Sequence, residues 1–301
     1  MTEGQRDGAS ERFGFGRVVV GVDGSASSRT AVRWAAAEAV LRGSGLCLVH
    51  ATDTDAAPGP LSREETARRR RAGLDLLATA AETVAARHAA LAVGTRLGTG
   101  PPAVVLRTAA GPRGTIGVGH GGAGGLSSLR LGSVAFAVAS DAATPVVVVR
   151  GAADPAEAGA VLAGVRDADD LDCAREAARE ARLRKAPLRL LHVWAMASHV
   201  GVRGGLSGGT RETARAHVRA ENEIAERLRE EFPELTLLAD GEKSHSVPDA
   251  LVDASRDADL LVVGGPRAPG HLGRTSLALL QHAHCPVELI PRRGPGPGNA
   301  A

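Results

Sequence analysis

Six glycines fall within fifteen residues at Gly119-His120-Gly121-Gly122-Ala123-Gly124-Gly125-Leu126-Ser127-Ser128-Leu129-Arg130-Leu131-Gly132-Ser133. Glycine lets a backbone approach a ligand closely and take positive φ. Successive free N–H groups then form a concavity for phosphate oxygens. The sequence predicts a helix starting near Gly132, whose N-terminus adds unpaired donors and a favourable dipole. Ser133, in its first turn, can offer a hydroxyl. The loop lies between a buried strand and a helix, where binding residues concentrate. A glycine-rich surface linker is the competing reading of the composition alone.

The elements around that loop follow from hydrophobic patterning. Val18-Val19-Val20-Gly21-Val22 is a β-branched run of the kind buried on both faces of a parallel sheet. A turn at Asp23-Gly24-Ser25 leads to a helix through Ala31, Trp34 and Glu38 to Arg42. Further strands are read at 46–50, 91–97, 115–118 and 145–149, with helices at 62–87 and from Pro101-Pro102-Ala103. Strands alternating with helices imply right-handed crossovers and a doubly wound sheet. In such a sheet ligands bind at the carboxyl ends of the strands, where strand order reverses. With strands 1 and 4 adjacent there, Asp23 faces the glycine loop.

The pattern then repeats. Gly45-Leu46-Cys47-Leu48-Val49-His50 is echoed by Pro187-Leu188-Arg189-Leu190-Leu191-His192, and Leu41-Arg42 by Leu183-Arg184, both 142 residues on. Thr144-Pro145-Val146 recurs as Cys285-Pro286-Val287. The domains are read as 16–150 and 158–292, with an Ala/Asp/Pro-rich join between them and a Gly/Pro-rich tail after residue 292.

The residues quoted above resemble the universal stress protein family. Its nucleotide-binding members carry G-x2-G-x9-G-(S/T), which Gly119, Gly122, Gly132 and Ser133 fit without a gap. Val20-Gly21-Val22-Asp23-Gly24-Ser25, Leu48-Val49-His50-Ala51 and Thr144-Pro145-Val146-Val147-Val148-Val149 are similar to the same family. The resemblance is strong over residues 16–150 and weak over 158–292. It implies an α/β fold of two tandem, doubly wound, five-stranded parallel sheets in strand order 3-2-1-4-5, adenine nucleotide α-hydrolase-like. It implies an ATP site, with or without Mg2+, in which Gly21, Val22 and Asp23 line the adenosine side and Ala51 meets the adenine. Gly119, Gly121, Gly122, Gly132 and Ser133 would hold ribose and phosphates, with Val134 beside them. Members pair through their fifth strands, so this chain would be a dimer folded into one molecule, open to a further homodimer. Where family members often carry Arg, His or Lys in the loop, this chain has Gly121 and Ala123, leaving fewer cations for a triphosphate. His120 and Arg130 are the candidates to compensate.

The second copy departs further. Aligned on its glycine, Val161-Leu162-Ala163-Gly164-Val165-Arg166 puts Arg166 where the first copy has Asp23. An ungapped reading puts Val165 there, so neither keeps the acid. Gly273 stands for Gly132 but lies only nine residues after Gly264, against thirteen in the first copy, and the loop holds Pro266 and Pro269. This half is expected to be structural, the rival being an anion site on Arg267 and Arg274.

Composition narrows the function classes. The net charge of +2 gives no argument for nucleic acid or a membrane surface as partner. Three cysteines without CxxC spacing indicate neither a disulfide framework nor a zinc site. Together with the polar start of the chain, they make a cytoplasmic location the default expectation. His282-Ala283-His284-Cys285 reads as a helix end rather than a metal site, and Arg68 to Arg71 as a solvated helix face. His50 and His192 are read as strand-end histidines with satisfied rings. The phosphate-binding pattern G-x4-G-K-(S/T) is not present, and no general acid/base pair is evident. The reading is therefore non-catalytic: an ATP-binding regulator of the stress response acting on an unknown protein partner. The alternatives are a slow ATPase or nucleotidyl-transferring enzyme of the same fold, or a nucleotide-free interaction module.

Overall fold

The computed structural model describes residues 16–52, 61–121, 131–150, 159–195 and 209–292. The first half runs β1 (Val18–Gly21), α1 (Ala26–Arg42), β2 (Leu46–Thr52), α2 (Arg63–Arg87), β3 (Val93–Thr99), α3 (Pro102–Ala110), β4 (Thr115–Gly119), α4 (Ser133–Ser140) and β5 (Val146–Val149). The second half repeats it with β6 (Val161–Val165), α5 (Leu171–Arg184), β7 (Leu188–Ala195), α6 (Gly209–Glu231), β8 (Leu237–Ser244), α7 (Val247–Ala254), β9 (Leu260–Gly264), α8 (Arg274–His282) and β10 (Val287–Ile290). A single 3-10 turn, Ala168–Asp170, precedes α5.

Each half has the expected strand order, and the two sheets join into one ten-stranded sheet, β3-β2-β1-β4-β5-β10-β9-β6-β7-β8. All pairings are parallel except the join, where β5 and β10 run antiparallel with Glu288 opposite Val147. The β-branched runs behave as read. Val18, Val19 and Val20 are fully buried, as are Val146, Val147 and Val148. One apolar core crosses the join, packing Val19, Ile116, Val146 and Val148 with Leu261, Val287 and Leu289. The opposite face carries two separate cores, one per half.

Local signals set the element ends. Ser25 is the N-cap of α1, its hydroxyl accepting the Ser28 N–H at 3.0 Å, so the helix begins at Ala26, directly after the turn. Gly43 ends α1 in the left-handed region at φ 62°, its N–H and that of Ser44 closing on Val40 and Ala39. Lys185 ends α5 in the same way at φ 54°, with its N–H on Arg182 and that of Ala186 on Ala181. His50 and His192 lie inside β2 and β7 rather than at their ends, because both strands continue for two or more residues beyond them.

Candidate functional site

Strands β1 and β4 are neighbours, Val18 to Val20 pairing with Thr115 to Gly117, while β2 lies on the far side of β1 and β5 on the far side of β4. Two crossovers leave in opposite directions at that point, which opens a crevice at the carboxyl ends. A cavity of about 270 Å3 sits there. Of the ten residues singled out above, nine line it: Gly21, Val22 and Asp23 at the end of β1, Ala51 in β2, Gly119 and Gly121 at the end of β4, and Gly132, Ser133 and Val134 at the start of α4. Gly122 and Arg130 lie outside the described residues.

Hydrogen bonds fix the two walls. The Asp23 N–H donates to Ser28 Oγ at 3.1 Å, and Asp23 Oδ1 accepts the Ser25 N–H at 2.9 Å. The Ser28 hydroxyl donates in turn to the Gly21 carbonyl at 3.2 Å. Val22 N–H donates to Val49 O, and Val22 O accepts from His50 Nδ1 at 2.6 Å. A carbonyl can only accept, so that bond places the His50 proton on Nδ1. His50 therefore has a satisfied ring, as expected, although from mid-strand.

The loop is anchored at both ends. Gly132 N–H donates to His120 O at 2.8 Å, so the chain from residue 120 to residue 132 closes at its base. His120 N–H donates to Val149 O at 3.2 Å, tying that base to β5. Ser27, in the first turn of α1, accepts the Gly121 N–H at 3.1 Å and stands 3.3 Å from His120 Nδ1. Burial, then the nearby Arg150 charge, holds His120 below the usual histidine range. That favours the neutral ring, whose unprotonated Nδ1 can accept a hydrogen bond from the Ser27 hydroxyl. The rest of the fold explains Gly119: a Cβ there would lie 2.4 Å from Ser27 Oγ and 2.6 Å from the Ser27 carbonyl carbon.

Helix α4 has Gly132 as N-cap in extended conformation at φ −64° and ψ 152°. The N–H groups that open a helix lack intrahelical acceptors and point toward whatever lies before it. Here that is the crevice, with the Ser133 hydroxyl beside them. Among the described lining residues Asp23 is the only carboxylate and there is no lysine or arginine.

Sequence profiles of known families add the decisive observation. The profile of the universal stress protein family matches residues 14–150 and, separately, residues 159–291. The chain belongs to the universal stress protein family. It is similar to a universal stress protein of Mycolicibacterium smegmatis, 30% identical over 292 residues that cover 91% of this chain and 96% of that one. It is also 38% identical over 141 residues to a universal stress protein of Mycobacterium tuberculosis, a match spanning 43% of this chain and under half, 46%, of that relative. In fold it is similar to a universal stress protein from Archaeoglobus fulgidus, with a TM-score of 0.69, 17% identity, and coverage of 92% and 98% of the two chains.

Within this universal stress protein the second crevice is built differently. Strand register settles the alignment: Gly21 pairs with Val49 and Gly164 with Leu191, one residue earlier in each case than His50 and His192. Arg166 therefore takes the place of Asp23. Asp170 lies where Ser27 lies in the first half, beside the strand-end glycine Gly264. Its Oδ2 accepts the Arg166 N–H at 2.9 Å, and its Oδ1 is ion-paired with Arg292. Arg292 Nε donates to the Gly265 carbonyl at 3.1 Å, so the pair lies across the strand end. A Cβ on Gly264 would come within 2.5 Å of the Arg292 guanidinium. Gly273 does cap α8 as Gly132 caps α4, at φ −63° and ψ 159°. Arg267, however, lies 3.3 Å from Asp167 and 3.6 Å from Asp169, an ion pair rather than an open anion site.

Sequence reasoning missed Ser27 and Ser28, which shape the wall, and Pro102, Leu106 and Val118, which line the apolar side. Their signal was three-dimensional: α3 crosses behind β1, and nothing local marks which of its faces meets the crevice. Among the described residues, no group of three or more His, Cys, Asp or Glu could hold a metal, and no helix is long and apolar enough to cross a membrane.

Proposed function

We propose that the first half of this chain binds an adenine nucleotide, ATP by preference, and that the ligand state regulates a protein partner in a stress response. The convergence of nine residues from four separate segments on one crevice at the β1/β4 switch point carries this reading. The apolar side, with Val22, Val49, Pro102 and Leu106, suits a flat base, and the polar side, at the start of α4, suits phosphate. Asp23 at the rim suits a ribose hydroxyl. With no cation among the described lining residues, Mg2+ would arrive on the phosphates and keep most of its ligands from them and from water. The second half supports the first. Its strand end is covered by Asp170 and Arg292, and its main contribution is the shared sheet and core.

The protein is read as a binder rather than a catalyst, its output being a surface that changes with the ligand state. Calorimetric titration of the full chain with ATP, ADP and AMP, with and without Mg2+, tests this. One ligand per chain is expected. No heat for any of them refutes the site, and two per chain refutes the structural role of the second half. ADP accumulating in the ATP sample in proportion to protein, and lost in Asp23→Ala, would replace the binder by a slow ATPase.

A further inference from the structure

The join between the halves holds charges that the crevice does not use. Glu38 and Arg42 on α1 and Glu180 and Arg184 on α5 are related by the 142-residue repeat, and they meet across the join. Arg42 Nε donates to Glu38 Oε1 at 2.7 Å and Arg42 Nη2 to Glu180 Oε1 at 2.8 Å. Arg184 Nη2 donates to Glu38 Oε2 at 2.6 Å and is completed by a bond from Nη1 to Glu180. Each arginine thus bridges its own helix to the other half. Arg42 Nη1 also reaches Thr115 Oγ1 at 2.7 Å. Two carboxylates and two guanidiniums balance.

Glu288 upsets that balance. It lies in the middle of β10, fully buried, with Arg42 Nη2 3.7 Å from Oε1. Neither of its carboxyl oxygens has a hydrogen-bond partner among the described residues. Its strand neighbours are Val262 on β9 and Val147 on β5. The repeat makes Val147 its counterpart, and the antiparallel register sets the two directly opposite, on the pseudo-twofold axis. The groups facing it are Arg42 and Glu38 from α1 and Glu180, Glu176, Arg184 and Cys173 from α5. Three fully buried carboxylates against two guanidiniums leave a net negative charge with no donor to stabilise it. A buried charge in that position is expensive, and the group neutralises instead.

We propose that Glu288 enters this cluster as a neutral carboxyl, making the join between the halves a proton-linked seam that is tightest while the proton is held. This rests on the geometry of the seam and not on the nucleotide reading. The titration behaviour agrees in direction. Burial, then the Glu180 charge, pushes Glu288 well above the carboxylate range. Burial also lifts Glu180 to about 7, against the pull of Arg42 and Arg184. For Glu38 burial is outweighed by Arg184 and Arg42, which hold it low. The protons of such a cluster titrate as a set, and Glu288 is the member whose charge no hydrogen bond supports, only the Arg42 guanidinium at 3.7 Å.

The sign follows from linkage. A carboxyl whose folded pKa lies above its unfolded value binds its proton better in the folded state. Stability from it is present in acid and is lost as pH rises from the unfolded carboxylate range through the folded value. The seam also touches the crevice, because Val149 of β5 accepts the His120 N–H that anchors the glycine loop. Loosening β5 against β10 therefore acts on the loop base.

The test uses the full chain. Thermal midpoints of wild type, Glu288→Gln and Glu288→Val are followed from pH 5 to pH 8.5, with infrared spectra at pH 7. The wild-type midpoint is expected to fall by several degrees as pH rises. Glu288→Val should be the more stable protein at pH 8 and show a flatter profile. A protonated-carboxyl band should be present at pH 7 in wild type and reduced in Glu288→Gln. The exchange Val147→Glu with Glu288→Val carries the group to the other side of the axis and should restore the steeper profile. Parallel profiles for wild type and Glu288→Gln overturn the proposal, as does an absent protonated-carboxyl band in wild type. The infrared measurement on wild type decides the matter even where a variant fails to fold.

Discussion

Replacing Gly119 by alanine probes the crevice at its tightest point. The added methyl would stand 2.4 Å from Ser27 Oγ and 2.6 and 2.7 Å from the Ser27 carbonyl carbon and oxygen. Ordinary contact begins near 3.4 Å, so the end of β4 and the first turn of α1 must part by roughly 0.7–1 Å. The turn cannot yield freely. Ser25 caps it, Ser28 is bonded to both Gly21 and Asp23, and Ser27 holds the Gly121 N–H. Overpacking of this kind costs about 1–3 kcal/mol. Binding should suffer more than stability, since the strand end and the loop base move together. Gly21→Ala is a control for stability alone, because its methyl would meet only the Leu106 and Val118 side chains, at 3.5–3.7 Å, inside the same crevice. Trimming Ser27 to alanine in the Gly119→Ala background removes only the hydroxyl contact and leaves the two backbone contacts, so rescue should be partial. Urea unfolding measures the stability loss and calorimetry the affinity. A Gly119→Ala protein with unchanged midpoint and unchanged nucleotide affinity would refute the close approach and the site drawn from it.

Three further perturbations test other parts of the fold. Lys185→Gly removes a side chain from the left-handed C-terminal position of α5 and should raise stability by about 0.5–1 kcal/mol, read by urea unfolding. Gly73→Ala should gain about 1 kcal/mol of helix propensity but lose more, because its methyl would lie 2.7 Å from His50 Cδ2 and 2.8 Å from Leu97 Cδ1. A net loss of stability, with weaker nucleotide binding through the displaced His50, is the expected result. His120, held low by burial and Arg150, favours its neutral form in the folded state, so its contribution is present above the unfolded histidine pKa and is lost as pH falls below about 6.5. Between pH 6.5 and pH 5 the thermal midpoint of His120→Gln should therefore gain on that of wild type, a difference set on top of the opposite trend from Glu288.

Much of this architecture is legible in the residues because the local signals agree with one another. The valine runs at 18–20 and 146–149 can be little else than strands buried on both faces, and the alternation with helices dictates a parallel sheet. The glycine spacing from Gly119 to Gly132 likewise points to one end of that sheet. Side chains that act across the fold leave no such trace. Ser27 reads as an ordinary residue in the first turn of a helix, and its bond to Gly121 depends on how α1 leaves β1. Nothing in the sequence sets Glu38 and Arg42 apart from an ordinary i,i+4 pair, yet both are buried, because α1 turns that face toward α5. Asp170 is one of several acids before α5, and only the return of the chain at Arg292 makes it part of a closed strand end.

The two halves differ in which features they keep, and the physics of a fused pair explains the division. The seam requires both halves at once. Glu38 and Glu180, Arg42 and Arg184, and the facing strands β5 and β10 correspond position by position, since a change on either side would strand a charge or break register. A crevice belongs to one half alone, so the second can lose Asp23's counterpart, four loop residues and its open strand end without disturbing the first. Glu288 is the exception on the seam side, a single group opposite Val147 where twofold symmetry would demand a pair. Two glutamates there would face each other in the core and repel, whereas one can be carried neutral. A pair of identical subunits cannot place an acid on one side of its axis and a valine on the other, whereas two fused and diverged halves can.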